Sequence, residues 1–280
     1  MEPILTVKCG GHGAVAADRV CADVAALAER APVVLVHGGS AEIERLSGRL
    51  GVPSRQIRTN TGITSRHTDD ATLDVLLMAF AGVVKPRLVN ALQRSGADAV
   101  GLTGLDGGLL RARRKFVRRA GEDGRRYLVR DDRSGRVTAV RERLLQRLLE
   151  EGIVPVVSPP ALADDGPVNV DADRAAAAVA VALGSPTLVM LTGVPGVLSD
   201  PSDEGTALQE CAVGPEGAPP FLGGGMGRKL IAAREALAGG VGRVLISDGR
   251  VDRPVYAALE GAGTEITLDQ VSEPPGRSRP

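Results

Sequence analysis

Aromatic side chains are nearly missing from this chain: among 280 residues there are two tyrosines, three phenylalanines and no tryptophan. Proteins that hold single-stranded nucleic acid stack bases on such rings, so a non-catalytic nucleic-acid-binding role finds little support. Cysteine is also sparse. Cys9, Cys21 and Cys211 lie far apart without metal-ligand spacing, and an odd number argues against a disulfide framework, which points to a reducing compartment. Histidine is limited to three positions. His37 and His67 have no second His or Cys at ligand spacing, so structural roles and no protein-held metal are expected. No apolar run reaches the roughly 18 residues that span a bilayer, and "MEPILTVK" lacks the zones of a signal peptide. The expectation is a cytoplasmic protein with no membrane partner. The best-known nucleotide signatures are absent too: there is no G-x-x-x-x-G-K-[ST], and no G-x-G-x-x-G follows the first strand. Any nucleotide is held by another architecture.

What is present is a chain that is 43% hydrophobic, enough for one large domain or two coupled lobes. Six short apolar runs read as strands buried on both faces: "ILTVK" (4–8), "PVVLVH" (32–37), "ADAVGL" (97–102), "IVPVVS" (153–158), "TLVMLT" (187–192) and "RVLIS" (243–247). Between them, 18–30, 68–94, 141–151, 171–183 and 227–238 carry apolar residues at helical spacing. The small-residue run "AAAAVAVAL" (175–183) reads as a buried helix. Alternating strand and helix predicts an α/β fold with a mainly parallel sheet between helix layers. Residues 112–140 break the alternation. "FVRR", "RRYLVR" and "RVTAV", separated by "AGEDG" and "DRSG", predict a β-hairpin excursion. The Pro-rich end, 273–280, is expected to be disordered, leaving a domain over 1–272.

Glycines cluster where strands pass into helices: "KCGGHG" (8–13), "HGGS" (37–40), "TGVPGV" (192–197) and "LGGGMGRK" (222–229). Ligands bind beyond the carboxyl ends of parallel strands, and glycine lets backbone N–H groups approach an anion closely. Four such corners, two with a lysine, point to a phosphate site. Lys8, ending the first strand, and Lys229, placed in the first turn of a helix, are the cations expected to face the transferring phosphate. In "PVNVDADRA", Asp171 reads as a helix N-cap, which leaves Asp173 to position the lysines, with Asn169 four residues before it.

"VKCGG", "VLVHGGS", "VNVDADRAA", "LTGVPGV" and "GGGMGRK", in that order across nearly the whole chain, resemble the amino acid kinase family, in its N-acetylglutamate kinase branch. The resemblance implies an αβα sandwich with a substrate-binding lobe over about 1–165 and a nucleotide-binding lobe over about 166–272. It also implies a homodimer and the use of ATP with Mg²⁺ to phosphorylate a carboxylate. By the same resemblance, Lys8 and Lys229 stabilise the transition state and Asp173 organises them. Gly10 and Gly11 face the phosphates, with Thr192, Gly193, Val194, Pro195, Gly196, Gly225 and Met226 at the nucleotide. Gly38, Gly39, Ser40, Arg66 and Asn169 hold the acylated amino acid. Three positions depart from the family pattern: Ser40 stands for a third glycine, Gly193 for a common Asp, and His12 for a small residue.

Residues 111–136, "RARRKFVRRAGEDGRRYLVRDDRSGR", hold eleven Arg or Lys against four acids, in a chain with 34 of each sign. With "GLDGG" before it, the block resembles that of kinases acting on glutamate or 2-aminoadipate attached by its amino group to a small acidic carrier protein. Arg113, Arg114, Lys115, Arg118, Arg119, Arg125 and Arg126 are then the expected docking cations. If the block is merely a solvated face, the chain reads instead as a kinase of free N-acetylglutamate.

Overall fold

All six apolar runs form strands, and all six run parallel. The computed structural model describes residues 2–11, 13–58, 64–115, 117–120, 126–214 and 224–269, with backbone alone at 58, 64, 117–120, 126 and 127. From the start come β1 (Leu5–Cys9), α1 (Ala17–Ala28), β2 (Val33–His37), α2 (Ser40–Leu50), β3 (Gln56–Arg58) and β4 (Thr64–Arg66). Then follow α3 (Asp70–Leu77), a π-helical turn (Met78–Val84), α4 (Lys85–Arg94) and β5 (Ala99–Gly104). The basic region supplies β6 (Leu110–Arg114), β7 (Val117–Ala120), β8 (Arg126–Val129) and β9 (Gly135–Val140). After α5 (Glu142–Glu150) come β10 (Val154–Ala163), β11 (Gly166–Val168), α6 (Ala172–Ala182), β12 (Thr187–Thr192) and β13 (Glu210–Val213). The described chain closes with α7 (Gly224–Ala238), β14 (Arg243–Asp248), α8 (Pro254–Leu259) and β15 (Thr264–Leu268).

β1 lies at the centre of an eleven-stranded sheet, between β2 and β12, with β10 and β5 beyond β2 and β14 beyond β12. The chain therefore leaves β1 toward one side and returns on the other only at β12. This reversal of strand order opens a crevice at the carboxyl ends of the central strands. β15 joins β14 antiparallel and carries β13 at the edge.

Alternation along the strands sorts side chains into two layers. Val7, Cys9, Val33, Leu35, Val189 and Leu191 pack with α1, α4 and α8, whereas Val34, Val36, Leu188 and Met190 pack with α6 and α7. Each large side chain so buried contributes on the order of 1.5–3 kcal/mol. Thr6 faces the second layer, its hydroxyl 2.7 Å from that of Ser185 beyond α6. Lys8 shares that parity, so the register of β1 aims its ammonium at α6. The helix offers Ala175, Ala176 and Ala180, all fully buried, and such small residues let it lie close to sheet and neighbour.

The helical stretch Asp70–Arg94 is long and apolar enough, by length and composition, to cross a membrane. Uninterrupted apolar runs in the sequence do not reveal it because charges divide them. One side of it enters the core: Leu88 and Leu92 belong to the same buried cluster as Val33 and Leu35, and Lys85 is buried, whereas Met78 is exposed. The excursion has two tiers. β6 and β9 pair antiparallel from Leu110↔Val140 to Arg114↔Gly135 and join the main sheet at Arg111↔Leu162, while β7 and β8 form a separate ribbon. Residue 116, residues 121–125 and the expected disordered end fall outside the described residues.

Candidate active site

The centre of the site is one carboxylate shared by two ammonium groups. Asp173 Oδ1 lies 2.5 Å from Lys8 Nζ, and Lys229 Nζ lies 3.1 Å from each oxygen of the same carboxylate. Three elements deliver them: the end of β1, the first turn of α6 and α7. Helix α6 starts where expected because Asp171 caps it, its Oδ1 accepting from the N–H of Asp173 at 2.9 Å and of Arg174 at 3.1 Å. Helix α7 begins at Gly224 rather than Gly227, so Lys229 sits in its second turn and not its first.

Lys8, Asp173 and Lys229 are each less than a tenth exposed. Burial disfavours the charge on Asp173, yet Lys229 and Lys8 outweigh it and hold the carboxyl well below its ordinary range. Burial also opposes the charge on Lys8, but the close Asp173 contact keeps that ammonium above its usual value. Lys229 is lowered to about 8, first by burial and then by the charge of Lys8, with Asp173 opposing at longer reach. Two cations against one anion leave a buried surplus of positive charge. Such a surplus is costly unless an anion arrives to share it.

Two of the glycine corners, those after β1 and β2, meet beside this group. Gly11, after β1, runs against the loop after β2 so closely that a Cβ there would come within 2.8 Å of Gly38 C and 2.9 Å of Ser40 N. The N–H of Gly38 donates to Cys9 O at 3.2 Å and that of Ala41 to Gly11 O at 3.0 Å, which fastens the two loops together. Gly38 also faces Ala172 at the start of α6, and Gly39 lies over Phe80 of the π-helical turn. Gly10 abuts Leu191 O at the end of β12, and Gly193 abuts Ala14. Past Thr192, half-buried Gly193, Val194 and Pro195 lead to Gly196, which is seated against Thr264. Gly225 is exposed and Met226 half-buried at the start of α7. His37 lies at the end of β2, against the loop that follows it. Burial lowers it to about 3, so it is neutral and its Nδ1–H donates to Gly38 O at 2.9 Å.

The residues expected to hold the acylated amino acid divide. Asn169 Nδ2 donates to Thr68 Oγ1 at 3.0 Å, tying the entry to α6 to the segment after β4. Arg66 pairs with Glu44 of α2 at 2.7 Å and donates to Ser54 Oγ at 2.7 Å. Among the expected docking cations, Arg113 and Lys115 are exposed. Arg114 is occupied otherwise: its Nε, Nη1 and Nη2 donate to Asp132 O, Asp165 Oδ2 and Arg130 O at 2.8–2.9 Å, binding the base of the arm. The side chains of Arg118, Arg119 and Arg126, and all of Arg125 and His12, lie outside the described residues.

Sequence reasoning passed over Asp132. Its buried carboxylate accepts from the N–H of Thr68 at 3.0 Å and from Ser134 Oγ at 3.1 Å, locking the arm to the Thr68–Asn169 junction. The only signal was the turn composition of "DDRSG". Among the described residues no group of three His, Cys, Asp or Glu is placed to hold a metal ion.

The profile of the amino acid kinase family matches residues 3–248. The chain belongs to the amino acid kinase family. It is 40% identical over 270 residues to the [LysW]-aminoadipate kinase of Deinococcus radiodurans, covering 94% of this chain and 91% of that one. It is 39% identical over 238 residues to the acetylglutamate kinase of Oleidesulfovibrio alaskensis, covering 84% and 79%. Among solved structures, smu.665 of Streptococcus mutans superimposes with a TM-score of 0.72 at 24% identity, over 95% of this chain and 99% of that chain. The αβα architecture with its mainly parallel sheet is thus the family's own.

Proposed function

We propose that this kinase transfers the γ-phosphoryl group of ATP to the side-chain carboxylate of 2-aminoadipate or glutamate whose amino group is attached to a small acidic carrier protein, giving an acyl phosphate. The observation that carries the reading is the buried Lys8–Asp173–Lys229 group, with its surplus positive charge beside the glycine loops after β1 and β2. Similarity to the Deinococcus enzyme and the exposed cation Arg113 support the carrier.

A carboxylate acceptor has a pKa near 4.3 and is ionised at neutral pH, so its attack on phosphorus needs no general base. Alignment and charge neutralisation remain. Lys8 and Lys229 would share the charge that spreads over the equatorial oxygens, while Asp173 keeps both ammonium groups pointed into the crevice. The N–H groups of Gly10 and Gly11 would line the phosphates, and 192–196 with Gly225 and Met226 the rest of the nucleotide. Gly38, Gly39 and Ser40, with Arg66 and Asn169, would hold the acylated amino acid. The donor set suits a magnesium ion that arrives on the triphosphate rather than one caged by protein, and such an ion neutralises phosphate charge. The reading includes a cytoplasmic homodimer with lobes of about 1–165 and 166–272.

Similarity to the Oleidesulfovibrio acetylglutamate kinase favours a second reading, in which N-acetylglutamate is the substrate. Acyl phosphate formation by the purified protein, measured with ATP and either substrate, separates the two. A much higher kcat/KM on the carrier-linked substrate is expected, whereas equal turnover hands the assignment to N-acetylglutamate.

A further inference from the structure

Ion pairs between α6 and α7 flank the catalytic contact on both sides. Arg228, beside Lys229, lies 3.5 Å from Asp171, and Arg174, beside Asp173, forms a two-pronged pair with Glu235. Its Nε is 2.8 Å from Oε2 while Nη2 takes Oε1. Glu235 lies six residues beyond Lys229, between one and two turns along α7. The fork therefore sets how α7 lies along α6, just behind the Asp173–Lys229 contact.

The same Glu235 carboxylate has a second partner, from outside the two helices. Arg136 Nη2 on β9 lies 3.3 Å from Glu235 Oε1. Arg136 is paired across the ladder with Arg113, so it sits at the base of the basic arm. Glu235 is thus gripped bidentately by a neighbour of Asp173 and singly by the arm. Side chains of Arg174 and Glu235 are 22% and 25% exposed, which screens their pair less than an open surface contact.

We propose that Glu235 is a positioning residue linking the arm to the catalytic pair. A protein seated on the exposed cations of the arm steadies Arg136 against Glu235, and Glu235 in turn holds α7 at the spacing that keeps Lys229 on Asp173. The inference rests on the carrier-docking reading and adds that docking tunes the chemical step as well as capture.

The test compares kcat and KM of the full-length wild type, Arg136→Leu, Arg136→Lys and Glu235→Gln with the carrier-linked substrate and with N-acetylglutamate. Arg136→Leu is expected to lower kcat about two- to fivefold more for the carrier-linked substrate than for N-acetylglutamate, with Arg136→Lys restoring it. Glu235→Gln keeps shape but removes charge, and should lower kcat on both substrates at unchanged KM for ATP. Equal losses on both substrates in Arg136→Leu, or a rise in carrier KM alone, overturn the link. Amide exchange over 224–238 gives a readout independent of turnover. Adding the substrate-loaded acidic carrier should slow it in the wild type and not in Arg136→Leu, and equal slowing, or none in either, also overturns the proposal. A wild type that binds the carrier without phosphorylating it defeats the functional reading instead.

Discussion

At the scale of single residues, the two lysines on Asp173 are unequal, and the difference is measurable. Lys8 has the shorter contact and is held above its ordinary pKa, whereas Lys229 is lowered to about 8 by burial and by its cationic neighbour. In the free enzyme Lys229 therefore loses its proton as pH rises through about 8, and with it the charge that the proposed site would offer a triphosphate. kcat/KM for ATP should fall above that pH. With nucleotide bound, the phosphates favour the ammonium form, so the limb in kcat should move to higher pH. Lys229→Arg, which keeps its charge across this range, should lose the limb even if turnover is reduced. The stability trend has the opposite sign. Between about 8 and the ordinary 10.5 the unfolded chain binds the proton that the folded chain has released, so this group's contribution to stability rises with pH over that window. A limb that persists in Lys229→Arg would assign it to another group.

At the scale of elements, the basic arm separates cations that build it from cations that display charge. Arg114 ties three oxygens at the arm's base, and Arg114→Ala should cost about 1–2 kcal/mol of stability by removing those bonds, although Asp165 Oδ2 keeps its contact with Arg133. Exposed Arg113 has no such burden. Arg113→Glu should stay within about 0.5 kcal/mol of the wild type in denaturant unfolding while slowing carrier association about tenfold at low salt. Unchanged association would remove Arg113 from the docking surface. By sequence alone both count equally as docking cations, because composition registers charge and not partners. The six parallel strands were legible for a complementary reason: each is a mostly apolar run, a pattern that survives without knowledge of neighbours even in β5, where Val100 is exposed. Asp171 as cap and Lys8, Asp173 and Lys229 as a cluster were legible because Gly-rich corners and a helix entry are local. The capture of Arg66 by Glu44, the buried hub at Asp132 and the Arg174–Glu235 fork join residues 22 to 64 positions apart. No local pattern announces them. The edge strand β13 and its neighbour β15 were missed because they are short and half-exposed.

For the molecule as a whole, a net charge of zero conceals a strong asymmetry. Residues 111–136 carry eleven cations and four acids, a surplus of +7, so the remaining chain carries −7 to balance the 34 of each sign. An acidic partner is attracted to the arm and repelled elsewhere, which orients it during approach and speeds encounter without adding contacts. Exposed charges are screened over about 8 Å at physiological ionic strength, while the buried Lys8–Asp173–Lys229 group is screened much less. Raising salt from about 0.02 to 0.3 M should therefore lower kcat/KM for the carrier-linked substrate about tenfold or more, acting through association. The same change should move kcat/KM for N-acetylglutamate far less, since that substrate presents no acidic surface to the arm. Steady-state rates over a salt series with both substrates check this directly. Parallel salt responses would mean that the arm's charge is only a solvated face, and the carrier would then have to be recognised through the amino acid and its amide alone.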